Sequence, residues 1–355
     1  MKNPPRLRAV SCVALFLWCV VPALADRVVV VAGGGSKALP APAAEARLRE
    51  PFGVDFDRSG NLWIVEMVSG NRLLQLDPTG TLHHRAGTLD PGFSGDGGPG
   101  LEAKFNGPHN LGILSNGNVL VGDTWNGRIR EFKPRDGTVE SVRGYEVALE
   151  KAKGSGPYCI TVDGDGKSVY IADLRQVWRF EFETGERRLV AGNGRKGKPV
   201  DGGRALNEPL VDPRAVAPDR LGNVYILERG GNALRVVDKE GSIRTVVNAS
   251  GMAGSEGDGG PALEAKLNGP KHLCVDRDNT VLIADAENHL VRRYVPATGR
   301  IERVAGTGKR ESSGVGDEPT ACGLARPHGV TVHPQTGEIY ITDSYNDRIL
   351  KIVKD

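Results

Sequence analysis

The sequence predicts an all-β fold: a six-bladed β-propeller of four-stranded antiparallel blades, closed by an N-terminal strand that completes the last blade. Three observations predict it. Glycine supplies 48 of 355 residues against 8 Phe, 4 Trp and 7 Tyr, a turn-rich composition that excludes a long helical bundle or an aromatic-belted membrane barrel. One segment recurs six times, opening at Pro51, Pro108, Pro157, Pro213, Pro270 and Pro327 with spacings of 57, 49, 56, 57 and 57 residues. Each copy carries short apolar runs within roughly 55 residues, the length of a propeller blade.

The first 25 residues read as a targeting segment. Lys2, Arg6 and Arg8 precede an apolar run from Ala9 to Val21, and Ala23-Leu24-Ala25 follows. This pattern predicts a signal peptide over 1–25, a mature start at Asp26, and a single propeller domain over 26–355. Cys12 and Cys19 leave with the leader and lack a lipoprotein context. No later run approaches the roughly 20 apolar residues of a membrane helix. The mature chain carries 43 Lys and Arg against 44 Asp and Glu. That balance opposes a nucleic-acid partner. The expectation is an exported, monomeric protein of the periplasm or extracellular space.

The next run, Arg27-Val28-Val29-Val30-Val31-Ala32-Gly33, resembles the fourth strands that end other copies, such as Leu189-Val190-Ala191-Gly192 and Arg303-Val304-Ala305-Gly306. The last copy supplies only three strands, so the first strand is predicted to complete it and remove an exposed edge. Within a copy, the segment after the proline is the first strand. The second ends in an acid each time: Glu66, Asp123, Asp173, Glu228, Asp285 and Asp343. A third strand follows Asn71, Asn126, Asn232, Asn288 and Asn346, with the third copy lacking the asparagine. Second strands such as Leu62-Trp63-Ile64 and Val224-Tyr225-Ile226 are apolar on both faces, as a sheet sandwiched between neighbouring blades requires.

The repeat resembles the NHL family of six-bladed propellers over essentially the whole mature chain. The motifs carrying the resemblance are the runs Gly95 to Pro108 and Gly257 to Pro270, each built on Gly-Asp-Gly-Gly-Pro, and the signatures Tyr340 to Ile349 and Gly122 to Ile129. The third unit departs furthest. The resemblance implies the fold more firmly than an activity, because look-alikes include protein- and RNA-binding modules, an amidating lyase, streptogramin lyase and sugar lactonases.

Chain direction places the residue after each proline, and the acid ending each second strand, around one channel mouth. The six opening residues are Phe52, His109, Tyr158, Arg214, Lys271 and His328. Resemblance to the amidating lyase, whose channel histidines follow proline, implies a divalent cation such as zinc or calcium at His109 and His328. A third histidine is missing: His272 is displaced by one residue and is predicted to turn away. Arg214 and Lys271 oppose a cation, and catalytic zinc generally takes three protein ligands.

The repeated acids most simply accept bonds from turn amides or from Arg128 and Arg348. Glu66 and Glu228, three units apart, are the candidates to reach a ligand or act as acid/base partners, with Arg72 and Arg229 near for simple ion pairs. Trp125 and Tyr345, two residues past their acids, can stack on a sugar or anchor a protein. The Gly-Asp-Gly-Gly linkers lack phosphate-loop or EF-hand endings and read as connectors, with Pro99 or Pro261 opening a short helical turn. Cys159, Cys274 and Cys322 read as small buried residues, with a Cys159–Cys274 disulfide left open. Two functions follow: a binding scaffold for a protein, peptide or carbohydrate at the mouth, or a metal-assisted lyase or hydrolase centred on the channel.

Overall fold

A computed structural model describes Met1 and residues 26–146 and 156–354. The expected signal peptide lies outside the described residues. Six sheets form a ring. Blade 1 holds Pro51–Phe56, Leu62–Glu66, Arg72–Leu76 and Thr81–Ala86. Blade 2 holds Pro108–Ile113, Val119–Asp123, Arg128–Lys133 and Thr138–Glu146. Blade 3 holds Cys159–Val162, Ser168–Ala172, Val177–Glu181 and Arg187–Ala191. Blade 4 holds Pro213–Pro218, Val224–Glu228, Ala233–Val237 and Ile243–Val247. Blade 5 holds His272–Val275, Val281–Asp285, Leu290–Val295 and Arg300–Ala305.

Blade 6 closes the ring as the sequence predicts. Gly329–Val332, Ile339–Asp343 and Arg348–Val353 are completed by Arg27–Gly33, which pairs antiparallel with the last strand from Arg27 opposite Val353 to Gly33 opposite Arg348. Every first strand packs against that of the next blade, so the six line one channel.

Second strands are the buried middle of each sheet. Those of blades 1, 2, 4, 5 and 6 are buried at every residue, because each face lies against the neighbouring blade. Trp63 is fully enclosed, tilts against Phe132 of blade 2 at 5.8 Å, and donates its indole N–H to Asp57 at 2.9 Å.

The linkers differ from expectation in detail. Gly98–Pro99 adds a two-residue strand to the outer edge of blade 2, and only then does Gly100–Glu102 form a 3₁₀ turn. At the corresponding linker of blade 5, Pro261 makes a single bridge to Arg300. Gly97 and Gly259 donate their amides to Val139 and Ile301, each at 2.7 Å. These segments therefore cap outermost strand edges, the groups a propeller otherwise leaves unpaired. Cys159, Cys274 and Cys322 are all free thiols, and burial raises the pKa of each.

Candidate functional site at the channel mouth

Each repeat enters its first strand through a left-handed residue just before the proline: Glu50, Gly107, Gly156, Asp212, Gly269 and Arg326, with φ of 45°, 59°, 117°, 55°, 54° and 47°. Glycine takes this conformation freely, whereas other residues lose about 1–2 kcal/mol by it. All three non-glycine residues are charged. The three charged residues thus hold a strained conformation at the rim of the recess.

The step after the proline is a β-bulge. In blades 1, 2 and 4 the ladder skips Phe52, His109 and Arg214. In blades 3, 5 and 6, Tyr158, Lys271 and His328 donate their amides to the carbonyl of the residue that also pairs with the following position. The extra residue bends the strand and turns two consecutive side chains to one side. His272 therefore faces the channel, contrary to the simple alternation expected of a strand. It hydrogen-bonds Asn110 of blade 2 at 3.0 Å and Val330 at 3.1 Å.

All six opening residues line one recess of about 190 Å3, joined by Glu50, Met67, Val68, His272, Arg326 and Tyr345. Its floor is aromatic. His328 stacks on Phe52 at 3.9 Å, and His109 meets Phe52 and Tyr158 edge-on at 5.4 and 5.2 Å. Its wall is cationic. The Arg214 guanidinium lies 3.6 Å from the Tyr158 ring and pairs with Asp212 at 3.0 Å, which Arg229 also approaches at 3.5 Å. Arg326 pairs with Glu287, donates to the Tyr345 hydroxyl at 2.5 Å and stacks on that ring.

This environment sets the protonation states. His109 donates Nδ1–H to the Gly107 carbonyl at 2.8 Å, leaving Nε2 as an acceptor. Burial, then Arg214, Lys271 and Arg229, pulls its pKa down to about 3. His328 is held well below its ordinary value by burial and by Lys271 and Arg326, and its buried Nδ1 has no hydrogen-bond partner. Both rings are neutral at pH 7. Burial, followed by Arg229, Arg214 and Arg326, lowers Lys271 to about 7. Among the described residues no carboxylate lies within ion-pair distance of Lys271.

The other singled-out residues fall into two groups. Tyr345 lines the recess, and Trp125 backs it by meeting His109 edge-on at 6.1 Å. Glu66 and Glu228 do not reach it. Glu66 is fully buried, binding the Arg49 amide at 2.7 Å and the Arg72 guanidinium at 2.6 Å. Glu228 binds the Val211 amide at 2.5 Å and Arg235, not Arg229, at 2.8 Å. Asp123, Asp285 and Asp343 likewise hold the amides of Asn106, Asn268 and Ala325 at 2.7, 2.8 and 2.7 Å. In five blades the acid thus pins the backbone two residues before the repeat proline, a structural role. The cation beside Asp123 is Arg130 rather than Arg128, whereas Arg348 does pair with Asp343.

Sequence reading missed Glu50, Asp212 and Arg326. The available signal was one residue upstream of the repeat proline, where glycine alternates with charge. The residues do not fit a three-ligand metal centre. The recess carboxylate, Glu50, accepts from the Ser69 amide at 3.2 Å, three cations crowd the two histidines, and no group of three ligating side chains occurs among the described residues.

The architecture defines a six-bladed propeller with a cationic, aromatic channel mouth. A family model for the teneurin NHL domain matches residues 98–256, and the NHL repeat model matches 267–294 and 324–352. The chain belongs to the NHL-repeat propellers. It is 26% identical to NHL repeat-containing protein 2 of Gallus gallus over 84% of this chain and 46% of that one. An auxiliary nutrient binding protein from Bacteroides thetaiotaomicron VPI-5482 superposes with a TM-score of 0.68 at 14% identity, covering 93% of this chain and 77% of that one. A streptogramin B lyase superposes with a TM-score of 0.55 at 14% identity, covering 93% and 98%. The chain spans less than half the length of the curated sequence relatives it matches. Among the described residues no helix is long and apolar enough to cross a membrane.

Proposed function

We propose that this chain is an exported binding scaffold whose channel mouth takes a carboxylate-bearing group of a protein, peptide or acidic sugar. The carrying observation is Lys271, a desolvated amine in an aromatic-walled recess with no carboxylate within ion-pair distance among the described residues. A desolvated cation is unfavourable until an anion meets it, so an entering carboxylate gains a charge-assisted bond and restores the lysine's charge. Arg214 and Arg326, held by their own acids and rings, give the recess shape and field. Export rests on the leader-like segment over 1–25. The likeness to a nutrient-binding propeller agrees with a ligand-capture role.

Titration calorimetry with acetylated glutamyl peptides and galacturonate oligomers, against their amide and neutral-sugar counterparts, tests the reading. Binding of the acidic set alone, lost in Lys271→Met, is the expected outcome. Equal binding of the neutral set, or an unaffected Lys271→Met, overturns it.

One observation favours the enzymatic alternative: among the described residues the Nδ1 of neutral His328 has no hydrogen-bond partner, and in the Nε2–H tautomer it is a proton acceptor beside Lys271. Turnover of lactones or streptogramin-type esters, abolished in His328→Ala with binding retained, would select that reading.

A further inference from the structure

The channel has a second end. Beyond the bond between Asn110 and His272, the first strands diverge around a cavity of about 880 Å3, much larger than the mouth recess. His272 lines both. The inner walls follow a rule: a first-strand side chain caps the free backbone edge of the next blade. Asn110 accepts from the Ile160 amide at 3.2 Å, Thr161 donates to the Val216 carbonyl at 2.7 Å, and His272 meets Val330. Blade 4 breaks the rule, presenting Ala217 to the chamber. This small residue leaves the cavity open on that side.

Among the described residues, Asp55 of blade 1 is the one carboxylate lining this chamber that no turn consumes. The Phe56 amide donates to it at 2.8 Å, and the Ile113 amide lies near enough to favour its charged form. No Lys, Arg or His lies within ion-pair distance of it among the described residues, and the neighbouring charge is another acid, Asp57. By contrast Asp57 and Asp219 cap their turns through Asn61 and Asn223, and Arg179 neutralises Asp163 and Asp165. A carboxylate fixed by two amides, facing a chamber and lacking a counter-ion, is an anchor for a cation. The described residues offer no three-ligand group for a metal ion, and a single carboxylate suits a cation that brings its own N–H donors.

We propose that this opposite cavity binds an ammonium or guanidinium group, with Asp55 as its counter-ion, whether the group belongs to a free polyamine or to a basic side chain of a peptide. The proposal is independent of the mouth reading. The two ends of the channel then select ligands of opposite charge.

Calorimetry on the full chain with spermidine, with an acetylated lysine-containing hexapeptide amide, and with glucose as a neutral control, at about 150 mM salt to screen surface acids, tests it. Wild type should bind spermidine or the peptide at one site, whichever binds more tightly naming the source. Asp55→Asn should weaken that binding about tenfold or more, with an unchanged or raised Tm, since an uncompensated buried charge is removed. Ala217→Leu, which fills the chamber from the opposite wall, should weaken it too, and serves if Asp55→Asn misfolds. Lys271→Met should leave it unchanged, so failure of the mouth reading and of this one are distinguishable. No binding by wild type, or equal binding in Asp55→Asn, overturns the proposal.

Discussion

The acids that end the second strands and the cations of the channel mouth come from the same repeat, yet they behave as opposites. Each rim carboxylate of blades 1, 2, 4, 5 and 6 is fully buried and meets a backbone amide and a guanidinium or asparagine. At the mouth, among the described residues, Lys271 has no carboxylate within ion-pair distance and His328 Nδ1 has no hydrogen-bond partner. Repetition of a polar residue therefore signals architecture when its partners repeat with it. Variation in residue type at one register position, with partners missing, signals a surface kept for something else.

The contrast can be broken most severely at the closure. Removing residues 27–33 unpairs the last strand from Arg348 to Val353 and opens the ring, and loss of cooperative unfolding by circular dichroism is expected. Next comes the rim. Arg235→Met leaves Glu228 buried without its cation, and a loss of about 3–5 kcal/mol is expected in urea titrations. The mouth responds differently: Lys271→Met should leave stability within about 1 kcal/mol while weakening carboxylate binding about thirtyfold, or about 2 kcal/mol.

Acid sharpens the comparison further. The folded pKa of His328 lies well below 6.5. As pH falls through 6.5 the unfolded state takes a proton that the folded state refuses, so stability is withdrawn. His328→Phe should therefore lose less stability between pH 6.5 and 5 than wild type, by up to about 2 kcal/mol, measured as Tm against pH. The smallest effect concerns binding. Lys271 titrates near 7 in the free protein, so carboxylate affinity should fall about tenfold from pH 6 to 8, and the fall should flatten in Lys271→Arg.

Much of this was legible in the chain. The proline spacing and the Val-rich run from Arg27 gave the ring and its closure, because a 55-residue period and an incomplete last unit admit few other folds. The opening residues named the mouth recess, since one register position is carried to one place by symmetry. What escaped depended on backbone detail. The bulge that turns His272 inward leaves no periodicity signal, because it adds a residue only beside the proline. Glu66 and Glu228 looked like reaching carboxylates, but length serves to span to Arg49 and Val211 amides in two of the three blades without the Asp–Asn pair. Asp55 was silent. An acid in a strand reads as a solvent-facing residue until six strands fold it around a chamber.

The bond between Asn110 and His272 has a kinetic consequence. It crosses the axis between the two chambers, from blade 2 to blade 5. Passage from one chamber to the other along that line requires the bond to open. A ligand entering either proposed site would then exchange through its own end for as long as the bond holds.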